Sequence, residues 1–193
     1  MVGDPQIGKT SLMVKYVKNE FGEDYILTLG VNFMEKKLKV KGQEVVFNIW
    51  DLGGAQEFVN MLPLVCSDAT AILYMFDLTR VSTLVGVKEW YKQARGFNQD
   101  SMAFLVGTKF DLFVSLPADQ QASIVKKARS YSKAMKAPLI FSSSRLSINV
   151  KNIFKIVLAK IFNIKPNIDE IHDAGCPILE LEPYVPKEGE EGK

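Results

Sequence analysis

Short, nearly unbroken apolar runs punctuate this chain at Ala69–Phe76, Met102–Gly107 and Pro138–Phe141. Runs of that kind belong to strands buried on both faces. Between them the apolar positions fall at helical spacing. Leu84, Val87, Tyr91 and Ala94 predict a helix over Ser82–Arg95, with Gly96 as its C-cap. Ile124, Ala128, Tyr131 and Met135 predict a second, started by Pro117 and running to about Met135. Asn149 caps a third, whose Val150, Ile153, Phe154, Val157, Leu158, Ile161 and Phe162 make a stripe that faces a core.

The first third reads differently. A helix over Ser11–Lys18 carries Leu12, Val14 and Val17, and Phe21–Leu29 reads as a loop. Val31–Val40 and Glu44–Trp50 are strands joined by Lys41-Gly42-Gln43, a hairpin. Strands alternating with helices predict an α/β domain with a largely parallel sheet, the hairpin supplying an antiparallel edge. Past Lys165 the pattern stops. Pro166, Pro177, Pro183 and Pro186 interrupt it, and Glu180, Glu182, Glu188, Glu190 and Glu191 make it acidic. The expectation is one domain over residues 1–165 and an extended, mostly disordered tail over 166–193, with Ile178, Leu179 and Leu181 available for docking.

Composition narrows the function classes. An apolar fraction of 47% in 193 residues supports a sizeable core, and a net charge of +2 leaves no case for a nucleic-acid partner or a broad membrane-binding surface. Cys66 and Cys176 lie far apart and outside any ligand spacing, so reduced thiols in an intracellular protein are expected. No prenylation cysteine closes the C-terminus and no glycine stands at position 2, so no lipid anchor is expected. His172, the only histidine, reads as a surface residue without a catalytic role.

The chemistry is concentrated at the start. Gly3-Asp4-Pro5-Gln6-Ile7-Gly8-Lys9-Thr10 is G-x-x-x-x-G-K-T, followed by Ser11. In this pattern consecutive backbone N–H groups line a concave nest for phosphate oxygens, and the helix behind them adds its positive end. Lys9 is positioned for the β- and γ-phosphates and the Thr10 hydroxyl for Mg²⁺. Such a loop ordinarily follows a buried strand, yet only Met1 and Val2 precede it. The first strand is therefore largely missing, the domain reads as N-terminally incomplete, and poor autonomous folding is expected.

Further acids end strands downstream. Asp51, in Trp50-Asp51-Leu52-Gly53-Gly54, is a second candidate for Mg²⁺, and Gly54 offers an unobstructed N–H to a γ-phosphate. In Gly107-Thr108-Lys109-Phe110-Asp111 the carboxylate can accept hydrogen bonds from guanine N1–H and its amino group. Adenine presents no such pair, so Asp111 selects guanine. The Lys109 stem can lie along the base plane. Ser142-Ser143-Ser144-Arg145 follows the last strand, where its backbone N–H groups can meet the guanine carbonyl.

Together these residues resemble the small GTPases of the Ras superfamily, in register from Gly3 to about Phe162. The resemblance implies a phosphate-loop NTPase of the Ras-like G-domain type, with a six-stranded, mostly parallel sheet flanked by five helices. It also implies that Phe21 packs on guanine. Thr28, in Tyr25-Ile26-Leu27-Thr28, would be the switch I threonine that joins Mg²⁺ only when a γ-phosphate is present. Switch II would begin at Asp51–Glu57. A narrower resemblance runs through residues 28–36, 49–54, 57–63, 88–98 and 107–111, to the septum-promoting GTPases of fungi. That subfamily implies a monomeric switch in the cytoplasm and at the spindle pole body. Its partners would be a two-component GTPase-activating protein, a protein-kinase effector and a spindle-pole scaffold.

Two departures bear on catalysis. Thr108 stands where the superfamily usually has Asn, keeping a hydroxyl and losing an amide, so weaker nucleotide binding is expected. Ala55 stands directly after Gly54, where Ras-like enzymes place the glutamine that orients water. Gln56, one residue later, substitutes only if switch II shifts register. Slow intrinsic hydrolysis is expected, and Pro5 adds bulk near the γ-phosphate that would crowd an arginine finger. Two alternatives stay open: a GTP-binding signalling scaffold with little hydrolysis, and an ATP-using small-molecule kinase, against which Asp111 argues.

Overall fold

The computed structural model describes residues 1–22, 24, 26–40 and 42–185. Tyr25, Lys41 of the hairpin turn and the tail prolines and glutamates from residue 186 onward lie outside the described residues. Helix α1 spans Lys9–Lys18, strands β1 and β2 span Val31–Val40 and Gln43–Leu52, and a 3-10 turn (Gln56–Met61) leads into the short α2, Leu62–Cys66. Then follow β3 (Ala71–Asp77), α3 (Val81–Phe97), β4 (Met102–Thr108), α4 (Phe110–Phe113), α5 (Ala118–Met135), β5 (Leu139–Phe141), α6 (Val150–Ile161) and β6 (Leu179–Glu180).

The apolar runs become strands buried on both faces, as their texture implies. Ile72, Tyr74 and Phe76 of β3 join one core with Leu84 and Val87 of α3 and Ile124 and Ala128 of α5. Leu73 and Met75 point the other way, into a core with Leu12 and Met13 of α1 and Ile153 and Val157 of α6. Each such large side chain, withdrawn from water, contributes about 2 kcal/mol. β3, β4 and β5 are parallel neighbours, and β1 and β2 form a separate antiparallel pair from Val31 opposite Leu52 to Val40 opposite Gln43.

The lane between those two sheets is where the feeding strand of the phosphate loop belongs, and Met1 and Val2 lie in it. Val2 donates to Leu73 O at 3.0 Å and accepts from Met75 N at 2.9 Å, while Met1 O accepts from Leu52 N at 3.2 Å. The resemblance implied six strands in one sheet. Among the described residues the arrangement is a two-stranded hairpin beside a four-stranded sheet in the order β3-β4-β5-β6, and the sixth strand comes from the tail.

Two expectations need correction. Gly96 lies inside α3, and Asn98 ends that helix, because the Asn98 amide donates to Cys66 O and Ala69 O at 2.8 and 2.9 Å and draws the chain away. The tail is not disordered over its described part. Ile178 and Leu179 are fully buried and β6 runs antiparallel to β5, because the edge of β5 offers unpaired backbone groups and both cores accept a side chain there. No helix of the described residues is long and apolar enough to cross a membrane.

Candidate nucleotide site

A cleft of about 730 Å³ opens at the C-terminal end of β4, over the start of α1. The sequence builds its floor locally. Gly8 has φ +90, a left-handed value, and nothing stands within 4 Å of where a Cβ would project. Gln6 is also left-handed at φ 61, so the loop folds tightly around open space. Gly3 has no such room: a Cβ there would lie 2.4 Å from Met75 O, so only glycine lets the loop leave the sheet at that point.

Lys9 is buried, and its ammonium donates to Gly3 O and Asp4 O, both at 2.8 Å. Burial lowers its pKa from 10.5 to about 8, with Asp51 and Asp4 pulling the other way. Beside it the Thr10 hydroxyl donates to Asp51 Oδ2 and lies 2.9 Å from the Thr28 hydroxyl. Asp51 is fully buried, its Oδ1 has no hydrogen-bond partner, and burial raises its pKa against the Thr10 hydrogen bond. A carboxylate and two hydroxyls are hard oxygen donors, and an orphaned carboxylate oxygen at their junction fits a small divalent cation such as Mg²⁺. Among the described residues no three His, Cys, Asp or Glu groups cluster to hold a metal, so this set would draw on the ligand's own oxygens.

The far end of the cleft is cross-tied. The Thr108 hydroxyl reaches Ile7 O at 2.5 Å and Phe76 O at 3.0 Å, joining the phosphate loop to the end of β4 with a hydroxyl alone. Lys109, at φ 59, donates to Gln6 O at 2.8 Å and pairs with Asp77 Oδ2 at 2.8 Å. Asp77 also holds Arg80, which donates to Pro5 O at 3.0 Å. Burial pushes the Asp77 carboxyl up, but the hydrogen bonds from Lys109 and Thr79 prevail and hold it below 3.8. Ser143 Oγ donates to Asp111 Oδ1 at 2.7 Å, which fixes the face that Asp111 turns to the cleft.

The expected residues divide into those that line the cleft and those that support it. Pro5 to Ser11, Phe21, Thr28, Gly54, Thr108, Lys109, Asp111, Ser144 and Arg145 line it. Gly3, Asp4, Asp51 and Ser143 lie behind that surface, and the Asp4 carboxylate faces α3, accepting from Trp90 Nε1 at 2.8 Å. Gly54 is pressed against the phosphate loop, where a Cβ would meet Asp4 C and Pro5 N at 2.4 Å. Gly53 donates to Gly30 O at 2.8 Å, linking the two loops at this end. Gln56 is not brought into the cleft: it stands exposed on the 3-10 turn, one residue beyond Ala55. Of the apolar run after it, Leu62 is buried and Phe58 and Val59 pack on the core, leaving Met61 exposed. Sequence reasoning missed Asp77. Its signal was an acid closing an apolar strand, the same placement that marked Asp51.

A glycine-rich loop at a helix start, a hydroxyl–carboxylate junction and a second carboxylate at the far end of one cleft are the features of a nucleotide-binding α/β domain. The Ras family model matches residues 1–163, and the chain belongs to that family of small GTPases, which bind guanine nucleotides and hydrolyse GTP. It is 59% identical over 180 residues to Septum-promoting GTP-binding protein 1 of Schizosaccharomyces pombe, covering 93% of this chain and 91% of that protein. It is 30% identical over 180 residues to Ras-related protein RIC2 of Oryza sativa subsp. japonica, covering 91% and 80% respectively. Against Ras-related protein SEC4 of Saccharomyces cerevisiae identity is 28% over 177 residues, 91% of this chain and 79% of that one. Family membership sets the small-molecule kinase alternative aside.

Proposed function

We propose that this chain is a guanine-nucleotide switch that promotes septation and hydrolyses GTP slowly on its own. The observation that carries the reading is the junction of Thr10, Thr28 and Asp51 beside Lys9, in the same cleft as Asp111. Bound Mg²⁺ would neutralise charge on the β- and γ-phosphates, with Thr10, Thr28 and Asp51 holding it. Lys9 would exchange the Gly3 and Asp4 carbonyls for phosphate oxygens, whose negative charge favours its protonated form. Asp111 accepts from guanine, backed by Ser143, while Phe21 and the Lys109 stem cover the base. Thr28 and Gly54 hold two loops onto the γ-phosphate, and both anchors are lost when it leaves.

The septation role is supported by the relative whose name states septum promotion. With it come the subfamily's associations: a two-component GTPase-activating protein, a protein-kinase effector and a spindle-pole scaffold. The slow rate is supported by Ala55, whose methyl group orients no water, and by the exposed Gln56. Those two residues also favour the second reading, a GTP-binding scaffold with almost no turnover. Single-turnover hydrolysis of Mg²⁺·GTP by this chain and its Ala55→Gln variant tests both. The proposal expects measurable turnover that Ala55→Gln raises by about 10²-fold. No turnover without the glutamine establishes the scaffold reading, and equal rates in both proteins remove Ala55 from the argument.

A further inference from the structure

The described part of the tail adds a strand to the sheet, and that strand pairs with β5, which leads into the base end of the cleft. β6 lies antiparallel along β5, with Leu139 opposite Glu180 and Ile140 opposite Leu179. Phe141 donates to Ile178 O at 2.8 Å, and on the other side Leu179 exchanges both backbone hydrogen bonds with Ile171. Ile178 is buried in the core under α3 and α5, and Leu179 in the core under α1 and α6. Glu180 is fully buried as well. Its Oε1 accepts from Arg129 of α5 at 2.7 and 3.0 Å and lies 3.3 Å from His172 Nδ1. The Arg129 guanidinium also donates to the His172 carbonyl and sits 3.8 Å over the Tyr184 ring. A buried carboxylate is tolerable only while such a partner holds it.

β5 has three residues and runs directly into the loop that supports the base. Ser142 donates to Gly107 O at 2.7 Å and accepts from Phe110 N at 3.0 Å. The next residue, Ser143, donates to Asp111. Asn149 closes the corner, its amide reaching Phe141 O at 2.9 Å and Pro177 O at 3.1 Å. Phe141 is therefore held at its N–H by the tail and at its carbonyl by a side chain that also holds the tail.

We propose that Ile178–Glu180, locked by Arg129, is a brace that positions Asp111 for the base through β5 and Ser143, so that guanine selectivity depends on the tail. This rests on the reading of Asp111 as the guanine acceptor. The exocyclic amino group of guanine engages the carboxylate only if that carboxylate is correctly turned. Hypoxanthine lacks the amino group and shares the rest of the recognised edge. The preference for GDP over IDP therefore reports the placement of Asp111, independently of overall stability and of the phosphate end.

The experiment measures GDP and IDP dissociation from the full chain, from Arg129→Met, from Arg129→Met/Glu180→Gln and from Asn149→Gly. Arg129→Met leaves a buried charge without its partner and drives the tail off. The GDP preference is expected to fall about tenfold. The double variant removes the charge along with its partner, and is expected to regain the preference to within about threefold. Asn149→Gly keeps the left-handed φ of 55, removes the side-chain amide together with its hydrogen bond from Asn152 Nδ2, and lowers the preference in a chain whose core side chains are untouched. It carries the test if Arg129→Met does not fold. Hydrogen exchange at the amides of residues 141–146 reports whether the brace has loosened. An unchanged GDP preference in Asn149→Gly, or in Arg129→Met with the tail amides exchanging freely, overturns the inference. A starting chain that does not distinguish GDP from IDP overturns the guanine reading of Asp111 instead, and the inference with it.

Discussion

At the far end of the cleft, Thr108 at the end of β4, Lys109 and Asp111 at the start of α4, and Ser143 just after β5 are cross-tied by bonds that reach Ile7, Gln6, Asp77 and one another. At the opposite end, Thr28 and Gly54 sit on loops that meet the rest of the site through a hydroxyl pair and a backbone contact. The flanking residues differ in the same way. Ile26 and Leu29, beside Thr28, are 82% and 76% exposed, whereas Thr108 and Ser143 are buried. A site that must recognise the base in every nucleotide state gains from fixed donors and acceptors that need no reordering on binding. A site that must register one phosphate gains from loops whose anchors that phosphate completes.

Four substitutions test this division, from the largest expected effect to the smallest. Asp111→Asn breaks the carboxylate acceptor pair proposed for guanine and should weaken GDP binding about 10³-fold in a fluorescent-nucleotide titration. The melting temperature of the nucleotide-free chain should hold. Gly54→Ala drives a methyl group into the phosphate loop. It should cut GTP turnover by about 10²-fold and leave GDP affinity unchanged, and an equal loss of both would break the division. Thr108→Val leaves the Ile7 and Phe76 carbonyls without this donor and should speed GDP release about tenfold, with single-turnover hydrolysis untouched.

Asp77→Asn has the smallest effect and a defined pH dependence. The folded Asp77 carboxyl titrates below its ordinary 3.8, so near that pH the unfolded chain binds more protons. The stability it contributes is present above the ordinary carboxylate range and is lost as pH falls through the lowered value. Arg80 and Lys109 are partly exposed, which limits the contribution to about 1 kcal/mol. Urea unfolding at neutral pH should show that deficit in the variant, and the deficit should shrink progressively as the pH is lowered below 3.8. A deficit that persists in acid would mean that Asp77 acts through packing rather than charge.

Much of the site was legible because phosphate recognition is local. Gly3 to Ser11 supply nest, lysine and hydroxyl within one turn, and their spacing alone defines the geometry. Apolar runs announced β3, β4 and β5 because burial on both faces leaves no polar position. Asp77 was not legible as part of the site, since nothing in Phe76-Asp77-Leu78 says that Lys109 and Arg80 converge on it from other segments. The exposure of Gln56 was equally hidden. The residues after Ala55 wind into a 3-10 turn, and no local pattern states which way that turn faces.

The chain's own residue pattern determined the phosphate loop, the alternation of strands and helices, and the substitution of Ala55 for the expected glutamine. Each depends on neighbours in sequence, through backbone geometry, side-chain period or the identity of one atom set. Tertiary structure alone decided that Met1 and Val2 lie between the two sheets, that the Thr108 hydroxyl reaches Ile7 of the phosphate loop, and that a proline- and glutamate-rich tail supplies a strand. For the tail the physical reason is specific. Glu180 is an unfavourable group to bury until Arg129 stands opposite it, and Ile178 and Leu179 gain from burial only where β5 leaves an open edge between two cores. Those partners lie about 50 and 40 residues away along the chain, beyond the reach of any local pattern.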